Sequence, residues 1–75
     1  MSWQQHIERK PGAMGGKPVI KGTRITVQLV LERLGDGWSD AQIIAAFPNL
    51  RPEHIRAAQA YAAAALSSDE LIVAE

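Results

Sequence analysis

Trp38-Ser39-Asp40-Ala41-Gln42-Ile43-Ile44-Ala45-Ala46-Phe47-Pro48-Asn49-Leu50-Arg51-Pro52-Glu53-His54-Ile55 holds a helix start, a forced stop and a second helix start. Ser39 is an N-cap, and Gln42 three residues on completes a capping box. Trp38 before the cap and Ile43 inside the helix form a hydrophobic staple. Pro48 stops the helix near Phe47, because the residue before a proline is pushed out of the helical region. Pro52 suits the first position of the next helix, where its missing amide donor is not needed. Arg51 then stands at the cap and offers no acceptor to the free amides there. Ile43, Ile44 and Phe47 point inward from the first helix of this pair. The second is expected to run to about Leu66, with Ile55, Ala58, Ala62 and Leu66 on one stripe, and to end at Ser67-Ser68.

Toward the N-terminus, Val27, Val30, Leu31 and Leu34 fall at i, i+3, i+4 and i+7, which predicts an earlier helix from about Val27 to Leu34. Thr26 is its N-cap, and Gly35 occupies the place of a C-terminal glycine, with Asp36-Gly37 extending the break. The preceding run Gly16-Lys17-Pro18-Val19-Ile20-Lys21-Gly22-Thr23-Arg24-Ile25-Thr26-Val27 superficially suggests an ATP loop. Pro18 stands where that loop needs a hydroxyl, and Pro11 stands where it needs its first glycine. The run reads instead as a short strand, a glycine turn and a helix entry, with Gly22 supplying the turn dihedral. Trp3, Gln5 and Ile7 alternate with polar residues, the mark of another short strand. Leu71-Ile72-Val73 is a short apolar run readable as a strand or a loose tail.

The expected fold is mainly α, a three-helix helix-turn-helix bundle with a short N-terminal β-strand element. The division is a strand and loop element over 1–26, the bundle over 27–66 and a C-terminal tail over 67–75. Seventy-five residues make one domain with a thin core. Without cysteine no disulfide or thiolate zinc site can staple it. A second copy of the chain is the remaining way to bury more surface, and a homodimer is expected. No apolar run approaches the ~20 residues of a membrane span, and the polar start from Met1 to Arg9 does not read as a signal peptide. The expectation is a cytoplasmic protein.

The net charge is zero but unevenly spread. Arg9, Lys10, Lys17, Lys21, Arg24 and Arg33 against Glu8 and Glu32 leave the chain to Arg33 at +4. Arg51 and Arg56 against Asp36, Asp40, Glu53, Asp69, Glu70 and Glu75 leave the rest at −4. A basic face for an anionic partner and an acidic tail follow from that split. In a helix-turn-helix the second helix of the pair enters the DNA major groove and its early residues meet base edges. Here those residues are Glu53, His54, Arg56 and Gln59, although Glu53 would repel phosphate. His6 and His54 have no cysteine or further histidine at ligand spacing, so neither a metal nor another cofactor is implied. Ser39 is explained as a cap, and no catalytic constellation is visible.

Gly15-Gly16-Lys17-Pro18-Val19-Ile20-Lys21-Gly22-Thr23-Arg24-Ile25-Thr26-Val27 also resembles the signature of a small bacterial family known as domain of unknown function 433. Gly37-Trp38-Ser39, Ala46-Phe47-Pro48-Asn49-Leu50 and Pro52-Glu53-His54-Ile55-Arg56-Ala57-Ala58 extend the resemblance to roughly His6–Ala65. It implies a homeodomain-like helix-turn-helix fold. More loosely, it implies VapB-type antitoxins paired with a PIN-like ribonuclease toxin. The chain departs from the family pattern at Arg51, where a capping threonine is usual, and at Arg9-Lys10-Pro11, where an acid-proline step is usual.

Together these readings lead to a DNA-binding antitoxin that neutralises a PIN-like toxin and autoregulates its operon. The DNA-contacting set is Lys17, Lys21, Arg24, Arg51, His54, Arg56 and Gln59. Arg24 has a structural alternative, an ion pair to Glu32 or another carboxylate. Leu71, Ile72 and Val73 are the candidate toxin contacts. A second reading is a protein-interaction module that only dimerises and docks a partner. An enzyme subunit or small-ligand binder is a third.

Overall fold

The computed structural model of the chain describes residues 2–12 and 14–67. Two short strands, β1 (Ile7–Arg9) and β2 (Pro18–Ile20), precede three helices, α1 (Val27–Gly35), α2 (Asp40–Ala46) and α3 (Pro52–Ser67). Single 3-10 turns occupy Trp3–Gln5 and Met14–Gly16. The strands pair antiparallel, Ile7 opposite Ile20 and Arg9 opposite Pro18. The chain is thus mainly helical with a small N-terminal sheet, as its patterning predicts.

The helix starts form as the sequence expects. Leu29 donates its amide to the Thr26 hydroxyl at 3.0 Å. At α2 both halves of the capping box are present, Gln42 N–H to Ser39 Oγ at 3.1 Å and Ser39 N–H to Gln42 Oε1 at 2.7 Å. Trp38 packs partly buried against the cluster that contains Ile43, and the Arg33 guanidinium lies 5.4 Å from its ring centroid. Ile7, Ile20, Val27, Val30, Ile43, Leu50, Ile55, Ala57 and Ala58 form the core, so every element but the two 3-10 turns contributes to it.

Three details differ from the sequence expectations. The N-terminal strand does not begin at Trp3. Ser2 and Trp3 carbonyls accept from Gln5 and His6 amides at 3.2 and 2.9 Å, winding this stretch into a turn that sets the Trp3 ring against α3. Leu66 is not part of the buried stripe: it is 67% exposed, because α3 outruns the elements that cover its first half. Gly35 is still helical, and the left-handed residue is Gly37, with φ 95°. Gly37 and Trp38 donate to the carbonyls of Leu34 and Arg33, each at 3.0 Å, closing α1 as a left-handed glycine allows.

The two glycines therefore respond in opposite ways to alanine. Gly37→Ala forces a side chain into the left-handed region and is expected to lower stability by about 1–2 kcal/mol. A methyl group at Gly35 meets no atom within 4 Å. Gly35→Ala is expected to raise stability by about 0.4–1 kcal/mol through the unfolded chain. Thermal melts of both variants check the pair, and a stabilised Gly37→Ala contradicts the assignment.

Candidate nucleic-acid interface

The helix pair α2–α3 is joined by residues 47–51, with Leu50 buried in the turn. Ile43, Leu50 and Ile55 anchor the pair to α1 and the sheet, which leaves the opposite side of α3 in solvent. On that side Arg56, Gln59, Ala60 and Ala63 recur at i, i+3, i+4 and i+7, and all are exposed. The face thus begins with a cation and an amide and continues with small side chains. A helix of this form can approach a surface closely beyond its first two turns. Arg56 reaches back to the Pro52 carbonyl at 3.5 Å, and Arg51 is exposed just before the helix.

His54 also caps its own helix. It is half-buried, and its Nδ1 accepts the Arg51 amide at 3.0 Å. The Arg51 carbonyl in turn accepts from the amides of His54, at 2.9 Å, and Ile55, at 3.4 Å. The third helical residue thus supplies one half of a capping box where Arg51 cannot supply the other. The His54 ring also lies edge-to-face against His6, with centroids 5.3 Å apart. Its pKa lies below the ordinary 6.5, first because burial disfavours the charged ring, then because His6 and Arg51 add like charge; Glu53 opposes them. Glu53 itself, in the first turn of α3, complements the positive end of the helix.

The remaining residues of the expected set divide between two places. Lys21 is exposed in the turn after β2 and donates its backbone amide to the His6 carbonyl at 2.7 Å. Arg24 is exposed in the turn after β2, and among the described residues it forms no ion pair with Glu32. Glu32 instead accepts from Gln28 Nε2 at 3.1 Å. Lys17 lies at the other end of β2, about 13 Å from Lys21 at the usual rise of a strand. There it borders an open groove of about 430 Å³ with Val27, Leu31, Glu32, Tyr61 and Ala62. Leu71, Ile72 and Val73 fall outside the described residues.

One feature escapes the apolar patterning altogether. The N-terminal segment clasps α3 at two points, His6 on His54 and Trp3 on Tyr61, the latter edge-to-face with centroids 5.0 Å apart. Arg9 Nη2 adds a bond to the Tyr61 hydroxyl at 2.9 Å. His54, Ala58 and Tyr61 recur at i, i+4 and i+7, a half-polar stripe that would have revealed this second packed face. Among the described residues no three His, Cys, Asp or Glu are grouped to hold a metal ion, and no helix is long and apolar enough to cross a membrane.

Known proteins resemble this chain. A crystal structure of a DUF433 member protein from Anabaena variabilis superposes with a TM-score of 0.73 at 34% identity, over 77% of this chain and 57% of that one. The uncharacterized protein y4eO of Sinorhizobium fredii is 38% identical over 58 residues, 77% of this chain. The chain spans about a quarter of that relative's length, 26%. The pattern of the family described as "Protein of unknown function (DUF433)" matches residues 7–62, from the first strand well into α3, and the chain therefore belongs to the DUF433 family.

Proposed function

We propose that the chain is a DNA-binding antitoxin of a bacterial toxin–antitoxin pair, which neutralises a PIN-like ribonuclease toxin and represses its own operon. The observation that carries the DNA reading is the exposed face of α3, where Arg56 and Gln59 follow exposed Arg51 in a two-helix unit braced by α1. Cations position such a helix on phosphates, and a bidentate amide can read a base edge. Lys21 and Arg24, exposed in the turn after β2, are the further cations proposed for phosphate contact. His54 serves it indirectly, by fixing the start of the helix. The toxin partner rests on the family resemblance, with Leu71, Ile72 and Val73 as its proposed contacts.

Titration of the DNA upstream of the gene, followed by fluorescence anisotropy at stepped salt, tests this reading. Removing Lys21, Arg24, Arg51 or Arg56 singly as alanine should lower the slope of log affinity against log salt by about 1. The same drop for Lys17→Ala extends the contact past the far end of β2. Gln59→Ala should relax base preference while keeping the slope. Affinity that ignores salt between 50 and 200 mM, or no binding at all, rejects the DNA reading.

The groove beside Lys17, together with exposed Leu66, favours the alternative of a dimerising or docking module. Leu31→Glu separates the two readings. It should abolish self-association or partner capture under the alternative, and should spare DNA binding by the isolated α3 face.

A further inference from the structure

His54 Nδ1 is the acceptor of the Arg51 amide at the start of α3. An imidazole whose Nδ1 accepts a hydrogen bond carries its hydrogen on Nε2 and is neutral. Proton uptake puts a hydrogen on Nδ1 as well, which sets two donors, Arg51 N–H and His54 Nδ1–H, against each other at a present separation of 3.0 Å. The bond must then break, and the amide at the start of α3 loses its acceptor. The charged ring also faces a second imidazole at 5.3 Å and the Arg51 side. On the β2 side, the Lys21 backbone amide bonds the backbone carbonyl of His6. Among the described residues Glu53, on α3 itself, is the acidic group acting on His54.

From this geometry we infer that the His6–His54 contact is an acid-operated latch, closed when His54 is neutral, whose opening frees the start of α3 and loosens the N-terminal segment from that helix. The linkage has a definite sign. The folded pKa of His54 lies below 6.5. Between the two values the unfolded chain binds a proton that the folded chain refuses. The stabilisation is therefore complete above 6.5, falls as the pH drops toward the folded value, and levels off once both states are charged. Trp3 and His6 belong to one short stretch held to α3 at Tyr61 and His54, so release at one point slackens the other.

The intact chain tests the inference by NMR titration from pH 8 to 5.5, with thermal melts over the same range. The Arg51 amide, the His54 ring and the Trp3 indole resonances should move with one midpoint. The melting temperature should fall on acidification. His54→Gln supplies the acceptor without the titration, as Gln42 does for Ser39 in α2. It should fold and should lose most of that acid-induced drop, whereas His6→Phe, which keeps a ring and removes the second charge, should lose part of it. An Arg51 amide that ignores the His54 titration overturns the latch, as does a His54→Gln protein with the full wild-type drop. A Trp3 indole unmoved while the Arg51 amide shifts overturns the release of the N-terminal segment.

Discussion

Ile43→Ala is expected to lower the free energy of unfolding by about 3–5 kcal/mol. Ile43 is 0% exposed and lies where α2 meets the rest of the core. Its removal loses the transfer energy of three carbons and leaves a cavity. The local structure cannot relax into that cavity, because the capping box on one side and Pro48 on the other fix the length and position of α2. A chain of 75 residues has a total stability of about 4–11 kcal/mol, so the variant should be substantially unfolded at modest urea concentrations. Urea denaturation checks this: the midpoint should fall steeply with the slope unchanged. Leu66→Ala, with its side chain in solvent, should leave the midpoint within error. A small effect at Ile43 would show that α2 is not held by its core face.

Tyr61→Ala is expected to cost about 2–3 kcal/mol, less than a fully buried ring because Tyr61 is half-buried. The loss combines its packing against the core, the edge-to-face contact with Trp3 and the bond from Arg9. Tyr61→Phe keeps the ring and removes only the exposed hydrogen bond, and should cost about 0.5–1 kcal/mol. A double-mutant cycle between Trp3 and Tyr61 should give a coupling of about 0.5–1.5 kcal/mol. Chemical denaturation of the four proteins provides it, and additivity of the two single variants would contradict the clasp.

The helices were legible because their signals are local. Ser39 and Gln42, Thr26, Pro48 and Pro52 each act within one helical turn, and the backbone obeyed them. Arg56 and Gln59, named only as early residues of the second helix of the pair, are exposed. What the sequence concealed depends on partners far along the chain. Trp3 and Ile7 alternate as in a strand, yet Trp3 is drawn out of register by Tyr61. Leu66 has the right spacing for a core stripe, but spacing does not say where the covering elements end. The capping bond of His54 was hidden too, because only a helix start lacking a side-chain cap turns its imidazole toward an amide. Glycine placement was blurred for the same reason: Gly35 and Gly37 are both near the end of α1, and the hydrogen bonds of Trp38 decide which one bends left.

The bond between Arg9 and Tyr61 joins residues 52 positions apart. Closing a loop of that length costs about 1.5 kcal/mol more chain entropy than closing one of ten residues. The helices α1, α2 and α3, by contrast, are connected through turns of a few residues. The molecule is therefore a locally wired helical body wrapped by a distant end of its own chain. Release of that end recovers the largest single share of loop entropy while leaving the caps and most of the core intact. Partial opening from the N-terminus uncovers the face of α3 opposite the one that carries Arg56 and Gln59.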